Sequence, residues 1–128
     1  MESPTSKKGP ITLKLNKEFK RAYYRGGYRA NPVLVTYLVK THLKQVRYGI
    51  TTGKKIGKAV SRNRARRLIR TAFFAVCKDY GWDTAEILPG YDFVFVAREK
   101  TPLVKSTDVY RAMSGQIRAL LQDSDRKK

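Results

Sequence analysis

Early in the chain, hydrophobic residues are spaced as on one face of a helix. Phe19, Ala22 and Tyr23 recur at the spacing of one helix face. Asn16 precedes them and is a favourable N-cap, and two consecutive glycines end the pattern. These positions predict a short helix over residues 17–25.

Two strand-like runs follow this helix. Residues 33–39 are rich in β-branched and apolar side chains, and residues 48–52 form a second run of the same kind. A polar loop that contains His42, the only histidine, separates the two runs. The two runs therefore predict a β-hairpin.

The second half of the chain contains a longer amphipathic segment, a fully apolar run and a final helical pattern. Residues 59–80 predict a long helix, and residues 91–97, which are apolar on both alternating faces, predict a central strand. The last helix is expected to begin with Ser106 or Thr107 as its cap. Its core stripe consists of Val109, Met113, Ile117, Leu120 and Leu121.

Composition limits the domain organisation. With 128 residues and 41% hydrophobic content, the chain is long and apolar enough for one ordinary domain. We expect a disordered basic tail over residues 1–10, a single domain over 11–123 and a frayed C-terminus over 124–128. The single cysteine, Cys77, excludes an intramolecular disulfide framework, and the lack of a signal peptide or long apolar run predicts a cytoplasmic protein without membrane attachment.

The charges of this domain have one sign over a long stretch. Between Phe19 and Lys78 there are sixteen Lys and Arg and no Asp or Glu, and the formal net charge of the whole chain is +18. Charges of one sign repel one another in a compact fold, whereas a phosphate backbone would compensate them and release its counterions. The charge distribution therefore predicts a nucleic-acid partner.

The long predicted helix separates its apolar and basic positions. At about 100° per residue, one narrow arc holds the apolar residues Leu68, Ala72, Ala65, Val76 and Ile69. The opposite side holds Arg66, Arg70, Asn63, Arg67 and Arg64. A charge run is ordinarily a solvated face. Here, however, Arg62, Arg66 and Arg70 place like charges four residues apart, and each such pair destabilises the helix by roughly a few tenths of a kcal/mol. We therefore interpret this side as a phosphate-binding surface, for which the planar fork of Arg is suited.

Side chains for protein-based catalysis are scarce. The single histidine excludes a mechanism that needs two, and Gly53 to Lys58 lacks the spacing of a nucleotide-hydrolase phosphate loop. We expect the carboxylates Asp79, Asp83, Glu86 and Asp92 to occupy solvated loop and strand-edge positions. The partner is therefore expected to perform the chemistry.

Tyrosines in the basic half suggest a second kind of contact. Tyr23, Tyr24, Tyr28 and Tyr37 all lie there, and aromatic residues at helical spacing are more often core than binding surface. An aromatic side chain on a sheet face beside a short helix can instead stack an unpaired base. This alternative favours a partly single-stranded target, and hence RNA over duplex DNA.

Several motifs together closely resemble the family of bacterial ribonuclease P protein subunits. They are Asn16-x-x-Phe19 with Tyr23 and Gly26, Arg47-Tyr48-Gly49, Lys54-Lys55-Ile56-Gly57 and Arg62-Asn63-Arg64-x-x-Arg67-Leu68-Ile69-Arg70. The resemblance runs from about residue 13 to residue 121. It implies an α+β fold, namely a compact α/β sandwich of α-β-β-(β)-α-β-α order with a left-handed βαβ crossover, of the ribosomal-protein-S5-domain-2-like type.

The resemblance also implies a function and a set of sites. The function is that of the RNA-binding protein subunit of an endoribonuclease ribonucleoprotein, which removes the 5′ leader from precursor tRNA and whose RNA subunit, with Mg²⁺, is the catalyst. No catalytic or metal-binding residue is implied in this chain. Contacts to the catalytic RNA are implied for Lys54, Lys55, Lys58, Arg62, Asn63, Arg64 and Arg67. Contacts to the single-stranded leader are implied for Phe19, Tyr23, Tyr37, Arg66 and Arg70. Gly53 stands where many relatives have Ser, so a hydroxyl contact to the leader is either lost or supplied by Thr52.

Two other classes of function are compatible with the charge. A small basic ribosomal protein that binds rRNA would have the same charge, fold class and location. A DNA-binding regulator is disfavoured because no helix-turn-helix spacing with a second recognition helix is evident.

Overall fold

The computed structural model describes residues 10–126. In chain order this part forms β1 (Ile11–Thr12), α1 (Asn16–Arg25), β2 (Gly27–Ala30), β3 (Leu34–Lys40), β4 (Val46–Thr51), α2 (Ala59–Tyr80), β5 (Tyr91–Ala97) and α3 (Ser106–Arg126). The predicted N-terminal tail lies outside the described residues except for Pro10. Of the C-terminal segment predicted to fray, residues 124–126 continue α3 and 127–128 lie outside the described part.

The strands form one open mixed sheet in the order β1-β4-β5-β3-β2. β4 is parallel to β1 and β5, whereas β3 is antiparallel to β5 and β2. The predicted hairpin of β3 with β4 is therefore wrong, because β5 lies between them. The central position predicted for β5 is confirmed, and its two apolar faces explain why it is covered on both sides.

Helices cover both faces of this sheet. α2 and α3 lie on one face, where Phe73 of α2 packs against Phe93 and Phe95 of β5 and all three are fully buried. α1 lies on the other face, where Ala22 packs with Val39 and Val94. The predicted α/β sandwich is confirmed, and α2 forms the crossover between the parallel strands β4 and β5.

The two long helices follow their predicted patterns. α2 buries the whole apolar arc predicted for it and ends at Tyr80, because Gly81 adopts a left-handed conformation with φ of 76°. In α3, the predicted stripe is buried apart from Leu121, which is half-buried. The carboxylate of Asp108 accepts a hydrogen bond from the N–H of Lys105 at 3.1 Å, where a cap by Ser106 or Thr107 was expected.

The start of α1 differs from the prediction. Asn16 is the first helical residue and not the N-cap, a position that Leu15 occupies. The side chain of Glu18 provides the cap instead, since its Oε1 accepts hydrogen bonds from the N–H groups of Lys14 and Leu15 at 3.1 and 3.0 Å. A carboxylate in the first turn also suits the positive end of the helix dipole.

A buried ion network connects α1 to the sheet. Arg47 in β4 donates two hydrogen bonds to Asp92 in β5, at 2.9 and 2.8 Å, and a third to Glu18 at 2.8 Å. Asp92 is only 1% exposed, so the expectation of a solvated strand-edge carboxylate is wrong at this position. Burial raises the pKa of Glu18, but the backbone N–H groups of Leu15 and Lys14 and the charge of Arg47 lower it more, leaving it below the ordinary value.

Candidate nucleic-acid interface

The polar side of α2 forms a basic surface, which we call the arginine face. It comprises Arg62, Asn63, Arg64, Arg66, Arg67 and Arg70. Arg62 and Arg66 are half-buried, and the other members are exposed. Within residues 10–124, whose side chains the structure describes, no carboxylate forms an ion pair with any of these arginines. The predicted separation of apolar and basic sides is confirmed, and the charge is left without internal compensation.

Three arginines of this face are oriented by backbone carbonyl groups. Arg62 donates to the carbonyl of Gly57 at 2.7 Å and Arg64 to that of Pro102 at 2.8 Å. Arg66 donates to the carbonyl of Ile50 in β4 at 3.3 Å. These contacts fix the side chains without neutralising them, because a carbonyl group carries no net charge.

Basic residues continue from the N-terminus of α2 into the preceding loop. Lys54 and Lys55 are exposed in a short 3₁₀ turn that is anchored by the buried side chain of Ile56. Lys58 is also exposed and occupies the N-cap of α2, whose first turn contains no acidic residue. The unpaired N–H groups and dipole of a helix N-terminus favour an anion, so this end of α2 is suited to phosphate.

Three tyrosines on the α1 face of the sheet form a second surface, the aromatic cluster of Tyr23, Tyr28 and Tyr37. The rings of Tyr23 and Tyr37 meet edge to face with centroids 5.0 Å apart, and Tyr28 stacks on Tyr37 at 5.5 Å. Tyr28 is 57% and Tyr23 38% exposed, whereas Tyr37 is half-buried between them. The cluster is open to solvent and has the geometry of a stacking surface.

Phe19 lies deeper than the tyrosines. It is half-buried and packs with Leu13 against β4 at Gly49, where an added Cβ would lie 2.4 Å from the Phe19 ring. A side chain at position 49 would therefore displace the ring, which gives a physical reason for glycine there. Phe19 supports α1 at the base of the cluster, and its part in leader binding stays a prediction.

The arginine face and the aromatic cluster meet at the end of β4. Arg66 binds the carbonyl of Ile50, and the next residue, Thr51, shares a hydrogen bond of 3.0 Å with the hydroxyl of Tyr23. β1 pairs only with Arg47 and Tyr48, so this end of β4 is an open sheet edge. A polynucleotide strand could pass from one surface to the other there. Arg70 lies one helical turn beyond Arg66 and is not brought to the cluster.

The other candidate chemical groups are structural. Asp79 accepts a hydrogen bond from the hydroxyl of Tyr110, and burial together with the charge of Asp83 raises the pKa of the Cys77 thiol to about 12. Among the described residues, no three His, Cys, Asp or Glu side chains converge in a way that could hold a metal ion. None of the helices described is long and apolar enough to cross a membrane.

Comparisons with known proteins agree with this geometry. The sequence profile of the family described as Ribonuclease P matches residues 8–121. The chain belongs to this family. The ribonuclease P protein component of Clostridioides difficile is 35% identical over 106 residues, which cover 83% of this chain and 88% of the relative.

Solved structures of ribonuclease P proteins share the fold. The Staphylococcus aureus protein superposes with a TM-score of 0.65 at 26% identity, covering 88% of this chain and 94% of that one. The Thermotoga maritima protein gives a TM-score of 0.65 at 26% identity, covering 85% and 94%. These matches identify the function as that of the protein component of ribonuclease P, an endoribonuclease complex, and favour it over a ribosomal protein.

Two residues of the candidate interface were not among the site residues predicted from the sequence. The sequence places Tyr28 among the tyrosines of the basic half but does not predict that it binds the leader. Thr51 is not among the predicted contacts. Both depend on strand register: Tyr28 lies opposite Tyr37 because β2 pairs with β3. The sequence signal for β2 is weak, since its four residues are all exposed and show no alternation.

Proposed function

We propose that the arginine face, apart from Arg66 and Arg70, and the basic loop before it bind the catalytic RNA of ribonuclease P. The aromatic cluster, together with Arg66 and Arg70, binds the single-stranded 5′ leader of precursor tRNA. The observation that carries this proposal is the junction at the end of β4. There an arginine face without internal counter-charges meets a group of exposed, mutually contacting tyrosine rings.

The arginine face suits a phosphate backbone because its donors remain available. The side chains of Arg67 and Arg70 make no hydrogen bond with described residues. The side chains of Arg62, Arg64 and Arg66 each donate from one guanidinium nitrogen to a backbone carbonyl group. The remaining N–H groups can bind phosphate oxygens in pairs. Lys54, Lys55 and Lys58 extend the contact as point charges at the N-terminus of α2.

The aromatic cluster suits an unpaired strand and not a duplex. The exposed ring of Tyr28 offers a face on which a base can stack, and such a contact contributes about 1–3 kcal/mol per base. Bases within a duplex already stack on each other and leave no face for the ring. The leader of precursor tRNA is the single-stranded part that distinguishes it from mature tRNA.

Hydrolysis is assigned to the RNA subunit with Mg²⁺, and the protein acts by positioning and by charge. Its cations reduce the repulsion between the phosphates of two RNA molecules, which Mg²⁺ must otherwise screen. The site of action is the cytoplasm. No residue of this chain is given a role in bond cleavage.

A cleavage assay at varied Mg²⁺ concentration tests the division of labour. The purified protein with Mg²⁺ alone should not cleave precursor tRNA. Added to its cognate ribonuclease P RNA, it should lower the Mg²⁺ concentration needed for cleavage. Cleavage by RNA-free protein, or an unchanged Mg²⁺ requirement, would contradict the proposal.

A substitution at Tyr37 tests the assignment of the leader. Tyr37→Leu retains apolar volume and removes much of the π-face, so the affinity for precursor tRNA should fall by about 1–3 kcal/mol. Binding of mature tRNA should barely change. Tyr24→Leu is the matched control, because Tyr24 is 84% exposed on α1 and lies outside the cluster.

The melting temperature separates binding from packing in this experiment. If Tyr37→Leu lowers it by several degrees and weakens both tRNA forms alike, Tyr37 belongs to the core and the cluster does not bind the leader. A loss confined to precursor tRNA supports the proposal.

A further inference from the structure

A large groove lies along α1, on the flank opposite the one that carries Phe19 and Tyr23. Its volume is about 1090 Å³, which exceeds the roughly 300–1,000 Å³ typical of small-molecule pockets. One wall is the flank of α1 that carries Lys17, Arg21 and Arg25, and another is the end of β3 around Lys40. β2 begins at Gly27 opposite Leu38, so the last two residues of β3 have no strand neighbour on the groove side.

The groove carries a positive charge that the protein does not compensate. Of its acidic side chains, Glu18 is bound to Arg47 and Asp123 to Arg29. Lys17, Arg25 and Lys40 form no ion pair with any carboxylate of residues 10–124, whose side chains the structure describes. Three positively charged side chains therefore face the groove without a carboxylate partner.

The position of Lys17 is unfavourable for the helix itself. It is the second residue of α1, where the positive end of the helix dipole disfavours a cation. Lys17, Arg21 and Arg25 also place like charges four residues apart, or about 6 Å along the helix. Arg21 forms an ion pair with Asp92 at 3.7 Å, which leaves Lys17 and Arg25 as the unpaired members of this row. The spacing of the row is one that an extended polynucleotide can follow with its phosphates.

The groove is continuous with the aromatic cluster. Tyr28 stacks on Tyr37 and at the same time lines the groove. The contacts thus run from Thr51 through Tyr23, Tyr37 and Tyr28 into the groove. Apolar side chains, including Leu38, Val39 and Leu43, lie between the cations and can contact bases.

We propose that this groove binds the distal part of the 5′ leader, with phosphates at Lys17 and Lys40, after the strand has crossed the aromatic cluster. This inference rests on the proposed binding of the leader by the cluster. It predicts a second binding region for single-stranded RNA that only precursors with longer leaders reach.

A series of precursor tRNAs with leaders lengthened one nucleotide at a time tests the groove on the holoenzyme. Affinity should rise in two stages, first as the leader fills the cluster and again as it enters the groove. Lys17→Ala and Lys40→Ala should each reduce the second gain by about two- to fivefold and leave short leaders unaffected. Lys20→Ala is the matched control, because Lys20 is exposed on the same helix but does not line the groove.

The outcomes distinguish this inference from the proposed function. If Tyr37→Leu leaves short-leader binding unchanged, the cluster assignment fails, whatever the groove does. If the second rise in affinity persists in both lysine variants, the groove does not hold the distal leader. The same conclusion follows if the lysine variants weaken binding to the RNA subunit and lower the affinity equally for precursors of every leader length.

Site-specific cross-linking provides a readout that does not depend on affinity. Leu43, 44% exposed at the groove, can be replaced by Cys and fitted with a photoreactive group, since the natural Cys77 is 1% exposed and does not compete. Leu43→Cys should cross-link to distal leader nucleotides. The control Ile87→Cys, at a position 74% exposed in the loop before β5, should not. Equal labelling from both positions, or none from Leu43→Cys, would overturn the proposal.

Discussion

Arg47 and the arginines of α2 carry the same side chain in opposite electrostatic surroundings. Arg47 is 13% exposed, and three of its nitrogens bind the carboxylates of Glu18 and Asp92. The hydrogen bond to Asp92, as the largest cause, and the charges of Asp92 and Glu18 raise the pKa of Arg47 above its ordinary value, although burial by itself would lower it. The arginines of α2 meet only carbonyl groups or solvent.

The difference separates arginines that stabilise the fold from arginines whose charge is available to a partner. A buried arginine with two carboxylates connects three elements, and removing it leaves charges that the interior cannot solvate. An exposed arginine without a counter-charge adds only repulsion to the free protein. Its benefit is realised when a polyanion is bound.

Arg47→Met should have the largest effect on stability. The substitution removes the counter-charge of Glu18 and leaves the buried Asp92 with only Arg21, 3.7 Å away, so the free energy of unfolding should fall by about 3–5 kcal/mol. Urea denaturation measures this loss. Arg67→Met, at an exposed position of α2, is the control and should change stability by less than about 0.5 kcal/mol. Equal losses in both variants would remove the distinction.

The double variant Arg64→Ala with Arg67→Ala should show the reverse behaviour. The affinity for the RNA subunit should fall, and the slope of log affinity against log salt should flatten by about one unit for each phosphate that the variant no longer neutralises. Stability should fall by only about 0.5–1 kcal/mol, because Arg64 loses one hydrogen bond to Pro102. An unchanged salt slope would indicate a merely solvated face.

Glu18 gives the buried network a dependence on pH. Because its pKa is lowered in the folded state, its stabilisation is present above the unfolded pKa and is lost as pH falls through the folded pKa. Glu18→Gln should be less stable by about 1 kcal/mol at neutral pH. Urea denaturation between neutral and strongly acidic pH should show the two proteins converging on the acidic side. A constant difference at every pH would exclude this role.

Arg66 lies between the two classes and should show both effects weakly. It is half-buried and donates one hydrogen bond of 3.3 Å to Ile50 at the open edge of β4. Arg66→Ala should lower stability by about 0.5 kcal/mol and should also reduce the affinity for precursor tRNA. Thermal unfolding and binding, measured on the same preparation, test whether both change together.

Local patterns predicted the elements that depend on local chemistry. The bounds of α2 follow from its apolar arc and from Gly81, which ends it, and β5 was recognisable because both of its faces are apolar. The residues of the arginine face also followed from helical spacing alone. In each case the information lies within a single segment of the chain.

Features that depend on distant partners were not predictable in the same way. The pairing of β3 and β4 with β5 joins segments separated by a long helix, and Asp92 is buried because Arg47 lies on the neighbouring strand. The open end of β4 and the stack of Tyr28 on Tyr37 also depend on strand order. Hydrophobic patterns contain no direct record of which strands become neighbours.

The central strand of the sheet is the last strand to be synthesised. β3 and β4 leave the ribosome well before β5, yet each needs β5 as a neighbour. The hairpin of β2 and β3 can form early, whereas the junction at the end of β4 cannot be held in place until Ala97 has emerged. We therefore expect nascent chains halted before β5 to remain open to protease and those halted after α3 to be protected, so that RNA binding begins only on a nearly complete chain.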